Sequence, residues 1–290
     1  MANFRKRWRS LAAAGIVAGV VAAAVGVGTS PAAAVSGLTL VRSTTVGPPG
    51  GLYFSEVSCP PGTRRTGGGA RASSASIHIG VSRPSSEPGE NWWSAGLGST
   101  SPTASMTAYG ICASTLSGYE MVMTEALPGA GAFMAVATLS CPAGKRVIGA
   151  GGSHAGQRGY VLDGIFIAPD LTGIVVRTLR TPFATPDTSP YAVAFAICVN
   201  PVPGQQRVMA ATETSTGLSK SVSVNCPFGT RLHGLGGMLG GGAGQVGFQA
   251  MNPTSSFNRT LAGATVTARV LAGTNYQGAW RAEVYGVCAL

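Results

Sequence analysis

The longest apolar stretch in the chain comes first: Leu11 to Gly28 runs for 18 residues without a charge. After it the pattern changes. Tyr191-Ala-Val-Ala-Phe-Ala-Ile-Cys198 is a short apolar run with β-branched and aromatic residues, which suits a buried strand. Ser221-Val-Ser-Val-Asn225 alternates with period two, so one face is buried and the other wet. Ile174 to Arg180 and Ala264 to Val270 are β-branched and half polar, again strand-like. Between such runs stand turn clusters, Gly47-Pro-Pro-Gly-Gly51 and Pro182-Phe-Ala-Thr-Pro-Asp187. Past the first run no twelve-residue window follows a 3.6-residue period. The pattern predicts an all-β protein.

The first run has the flanks of an export signal. Arg5, Lys6, Arg7 and Arg9 precede it, and Ala32-Ala33-Ala34 follows with small residues suited to cleavage. Residues 1–34 therefore read as a secretory signal peptide, with export by the general route and a secreted, extracellular product. Four glycines weaken the run as a permanent membrane span, so no membrane attachment is expected after cleavage.

Three motifs recur in fixed order. Cys59 opens CPPGTRRTGGGA, Cys141 opens CPAGKRVIGAGG and Cys226 opens CPFGTRLHGLGG. Each unit closes on a strand-like AYGIC, AFAIC or VYGVC, ending at Cys112, Cys198 and Cys288. Each opens with a valine, Val41, Val122 or Val208, at a matching offset before the first cysteine. This defines three β repeats of about 83 residues over 36–115, 116–202 and 203–290, with about six strands each. Six cysteines allow fifteen pairings. The repeat leaves one local scheme: Cys59–Cys112, Cys141–Cys198 and Cys226–Cys288. Chain-entropy arithmetic gives each bridge about 4 kcal/mol as an upper estimate. A zinc site lacks its short C-x-x-C spacing.

Composition narrows the chemistry. Only 10% of residues are charged, three are His, and Gly supplies 43 of 290. No cofactor and no metal site are expected. Removing the four basic residues of the signal takes the net charge from +10 to +6, spread along the chain, a weak argument for nucleic acid. The C-P-x-G-[TK]-R motif reads better as a turn than as a phosphate cradle, since a strand follows it and not a helix. Arg64, Arg146 and Arg231 share one repeat position and are candidate ligand contacts. His78, His154 and His233 share none, and no G-x-S-x-G elbow occurs. Glu87, Glu90, Glu120, Glu125, Asp163, Asp170 and Asp187 form no paired constellation in sequence, so an enzyme is not expected. Trp92 and Trp93 are adjacent and face opposite sides of a strand. With Trp280 they are candidates for stacking on a sugar ring, against the plainer reading as core residues.

The two cysteine motifs resemble a repeat of secreted proteins of actinomycete-type bacteria. They are also similar, more distantly, to the vitelline membrane outer layer protein family, whose three β units imply a β-prism. Two architectures follow: a pseudo-threefold prism with a common core, or three tandem β-sandwiches. The expected function is non-catalytic binding of cell-wall or extracellular carbohydrate. The alternatives are a structural or protein-interaction role with a protein partner, and a secreted hydrolase.

Overall fold

The computed structural model describes residues 34–47, 52–74, 77–87, 89–98, 104–129, 131–154, 159–185, 189–255 and 261–290. The expected signal peptide, save Ala34, lies outside them, as do Asp187 and most of the Gly47–Gly51 turn.

The protein is all-β, with six strands from each sequence unit. The first supplies β1 (Thr39–Val46), β2 (Leu52–Ser58), β3 (Thr63–Ala72), β4 (Val81–Pro84), β5 (Trp92–Gly98) and β6 (Ser105–Ser114). The second supplies β7 (Glu120–Ala126), β8 (Met134–Ser140), β9 (Arg146–Ser153), β10 (Tyr160–Ile167), β11 (Gly173–Arg180) and β12 (Ala192–Val199). The third supplies β13 (Gln206–Ala211), β14 (Ser219–Asn225), β15 (Arg231–Gly241), β16 (Val246–Ser255), β17 (Leu261–Val270) and β18 (Trp280–Ala289).

No sheet belongs to one unit. Sheet A runs β1-β6-β3-β16-β17-β14, sheet B runs β7-β12-β9-β4-β5-β2, and sheet C runs β13-β18-β15-β10-β11-β8. Each unit gives its strands 1, 6 and 3 to one sheet and its strands 4, 5 and 2 to the next. The exchange is cyclic, so the three units interlock as a prism and the tandem-sandwich alternative is excluded. The sheets stay open. Their edges meet at three corners, β1 against β2, β7 against β8 and β13 against β14. One core runs through all units and includes Ile111, Trp93, Ile148, Leu162, Leu235 and Phe248.

The disulfides follow the same cycle. Cys59–Cys112, Cys141–Cys198 and Cys226–Cys288 are all formed. Each first cysteine leaves a strand of one sheet and each second one lies in a strand of another. The bridges thus tie B to A, C to B and A to C. The unit ends are closed alike: Ser114 N donates to Ser36 O, Asn200 N to Ser117 O and Leu290 N to Pro203 O, while Val35 N donates to Leu290 O.

The C-P-x-G motif is a turn. Thr63, Lys145 and Thr230 donate their N–H to Pro60, Pro142 and Pro227 carbonyls. Gly62, Gly144 and Gly229 take φ of 79°, 80° and 83° at the third turn position, as a type II turn requires. The following glycines do something else. At Thr66, Ile148 and His233 each third strand bulges, and there β3, β9 and β15 touch one another. A Cβ on Gly67 would lie 2.4 Å from His233 O, one on Gly234 2.3 Å from Ile148 O, and one on Gly149 1.9 Å from Thr66 O. The three contacts close a ring. No side chain larger than hydrogen fits at any of them.

We therefore expect Gly149→Ala to lower stability by about 3 kcal/mol or more, because only backbone movement relieves the overlap. Gly129→Ala, where nothing lies within 4 Å of the added carbon, should stay near neutral. Thermal unfolding followed by circular dichroism measures both. Equal effects would contradict the packing described.

Candidate functional site

At each sheet the two half-sheets meet at a seam held by only two residue pairs: Ala250–Arg71 and Met251–Ala70 in A, Val81–Ser153 and Ser82–Gly152 in B, Gly164–Met238 and Ile165–Gly237 in C. So short a ladder leaves room for a cleft on the solvent side. The closing motif puts an aromatic beside each seam. Tyr109, Phe195 and Tyr285 lie opposite Gly69, Gly151 and Gly236 on the neighbouring strand.

The three seams differ in what fills them. In sheet C ion pairs and stacked arginine flank the seam. The Arg177 guanidinium bonds the buried Asp163 carboxylate and the Leu239 carbonyl. Arg207 lies 5.5 Å and 5.1 Å from the Phe166 and Tyr285 ring centres, and Glu283 receives Arg281 and Tyr285. Burial pushes the Asp163 carboxyl up to about 6 against the pull of Arg177. These acids hold the structure together.

In sheet B the cleft is open, about 350 Å³. Val81, Ser153 and Val193 form a buried floor. Phe54 and Met123 stand at its walls, 46% and 48% exposed. Arg83 lies 5.1 Å from the Phe195 ring centre and spans the seam. Tyr191 hydrogen-bonds Glu125; desolvation first, then that carboxylate, pushes its hydroxyl up to about 12, so it stays a donor. Sheet A holds a third cleft, about 290 Å³, lined by Arg71, Gln249, Asn252, Thr265 and Thr267.

Two further cavities are each lined by residues of all three units. One, about 180 Å³, is walled by Ile77 and His78, Tyr160 and Thr181, and Arg269 and Leu271, two from each unit. The other, about 250 Å³, lies among the unit junctions around Val35, Leu116 and Val202.

The sequence candidates fall in different places. Trp93 and Trp280 are core residues, 1% and 0% exposed. Their ring N–H groups donate to Ser82 Oγ and Gly217 O, so neither offers a ring face to a sugar. The reason is packing: Trp93 covers Gly68, and Trp280 closes the β18 end of the core. Trp92 is half-buried; it shares a face of β5 with the buried Ser94 and Gly96 and does not line the sheet B cleft. Arg64, Arg146 and Arg231 are exposed at the starts of β3, β9 and β15. The structure does not bring them into any of these clefts. Glu87 and Glu90 are exposed, and Glu90 receives the Ser85 hydroxyl. Glu120 pairs with Lys145. Among the described residues no group of three or more His, Cys, Asp or Glu could hold a metal, and no helix is long and apolar enough to cross a membrane. Phe54, Arg83 and Met123 lie on three different strands, Tyr191 just before a fourth, and none is in a repeated motif, so they escaped sequence reasoning. Phe195 did carry a signal, as the aromatic of the closing motif.

His154 and His233 are buried, and His78 is half-buried. His233 is 0% exposed at the axial bulge, and neither ring nitrogen meets a partner among the described residues. Burial first, then Arg231, holds it down to about 4. Burial first, then His78, does the same to His154. The unfolded chain takes up these protons near pH 6.5 and the folded chain does not, so stability is full above 6.5 and is lost as pH falls toward 4. Asp163, raised in the fold, works in the opposite sense over about the same window. His233→Ile, with the side chain that Ile148 supplies in the second unit, should leave pH 7 stability nearly unchanged and gain about 2 kcal/mol over the parent at pH 5. Thermal melts at both pH values check this. A gap that does not change with pH would refute it.

No protein-family model matches this chain, and comparison with curated proteins finds no relative.

Proposed function

We propose that this is an exported, non-catalytic β-prism that binds extracellular or cell-wall carbohydrate through the cleft of sheet B. The cleft carries the reading. It combines exposed apolar and aromatic surface with a small set of oriented polar groups over a buried floor, the usual composition of a ligand site. Phe54 offers its ring to sugar C–H groups, and Tyr191, Glu125 and Arg83 offer hydrogen bonds to hydroxyls. The export-type leader in the sequence and three inter-sheet disulfides agree with an oxidising extracellular setting. Asp163, Glu120 and Glu283 are held in ion pairs within the fold, which favours binding over hydrolysis. A protein partner is the second reading, since Phe54 and Met123 would serve it equally well.

The test is retention of residues 35–290 on cellulose, chitin and purified cell wall at high salt. The protein should be retained, and Phe54→Ala should weaken retention about tenfold. If the protein stays in solution with every neutral polymer, the carbohydrate reading fails and the protein-partner reading stands.

A further inference from the structure

The three sheets share one architecture but not one charge. The strands of sheet B contain Glu56, Glu120 and Glu125, and those of sheet C contain Asp163 and Glu283. The six strands of sheet A contain no acidic residue at all, yet they hold Arg42, Arg64, Arg65, Arg71, Lys220 and Arg269.

Register shows how this charge is displayed. Across the centre of sheet A, Thr44 pairs with Thr107, Thr107 with Arg71, Arg71 with Ala250, Ala250 with Thr267 and Thr267 with Ser221. The Thr44 and Thr107 hydroxyls are 2.9 Å apart, and those of Ser221 and Thr267 are 3.0 Å apart. One row toward the unit junctions, Arg42 pairs with Tyr109, and Asn252 with Thr265. One row the other way, Arg269 pairs with Ser219. Each row therefore carries a single arginine, on β1, β3 and β17 in turn. These strands are two apart in the sheet, so the arginines lie on a diagonal. Strand spacing of about 4.8 Å and a rise of about 3.4 Å per residue put successive members about 12 Å apart. Arg42 and Arg71 are exposed and Arg269 is half-buried. The polar cleft of about 290 Å³ opens at the middle of the diagonal, at Arg71.

We propose that the solvent face of sheet A is a binding site for a linear acidic polysaccharide, one with a carboxylate on each repeat. Three features point to that class. The guanidinium groups recur at a spacing comparable to a sugar disaccharide and are joined by hydroxyls and amides that match sugar hydroxyls. No carboxylate on the sheet repels an anion. The face is broad and shallow, suited to a chain laid across it rather than to a small ion. This site differs from the sheet B cleft in position and ligand class, so either can fail without the other.

Affinity electrophoresis of residues 35–290 in gels containing polygalacturonate tests it. The parent should be retarded, less so as salt rises. The triple variant Arg42→Gln, Arg71→Gln, Arg269→Gln should lose tenfold or more in apparent affinity. Arg146→Gln, Arg180→Gln, Arg231→Gln removes the same net charge from sheets B and C and should keep most of the binding. Thr107→Glu, a single exposed-face change, should also abolish retardation, and it guards against a triple variant that fails to fold. Circular dichroism reports folding of each. No retardation of the parent overturns the proposal. So does equal loss in the two triple variants, which would mean net charge alone is acting. Tighter binding to single-stranded DNA or to phosphatidylglycerol vesicles than to polygalacturonate would overturn it in favour of a phosphate polymer or a lipid surface.

Discussion

The contact of three backbones at Gly67, Gly149 and Gly234 is the constraint on which the rest of the molecule depends. Each glycine faces a carbonyl of the next unit at a distance no side chain could occupy. That approach fixes the third strands around one axis. Once they are fixed, each has a free edge, and the fourth strand of another unit covers it. Sheets of mixed parentage follow, and with them the corners, the continuous core and the cycle of disulfides. The bulges at Thr66, Ile148 and His233 steer the strands into this contact.

The constraint also divides labour between strands. All three repeated motifs lie on strands 1, 6 and 3 or in the turn that leads into strand 3, the half-sheet that builds the axis. The opening valines pair with Gly110, Ala196 and Gly286 on the closing strands. Strands 2, 4 and 5 carry no repeated motif and differ most in chemistry between units. Phe54 and Arg83 in one sheet, Asp163 and Arg177 in another, and Asn252 and Thr267 in the third belong to this free set. The scaffold is thus triplicated while the seams are individual: ionic in C, aromatic in B, hydroxylated and cationic in A.

Much of the scaffold was legible in the sequence. Spacing alone gave the three units and the local cysteine pairing, because a repeated cysteine must have a repeated partner. The Pro-x-Gly turn was legible because only glycine is at ease with φ near 80°. The role of the later glycines was only half legible. Close strand approach could be inferred, but not that the approaching strand belongs to another unit, because nothing local encodes that exchange. The tryptophans show the same limit. Trp93 and Trp280 differ from Trp92 only in which side of a strand meets the core, and Trp280 has no neighbour in sequence to set its phase. The clefts were invisible because each combines side chains from both sides of a seam. The acid-free sheet was present in the sequence but unreadable until strands from the first and third units were known to lie side by side.

The central claim is that the three units form one cooperative structure. Differential scanning calorimetry of oxidised residues 35–290 tests it most directly. Interlocked units must melt together, with one transition whose calorimetric and van't Hoff enthalpies agree. A calorimetric enthalpy about three times the van't Hoff value, or separate transitions, would mean that the units unfold independently and would contradict the account.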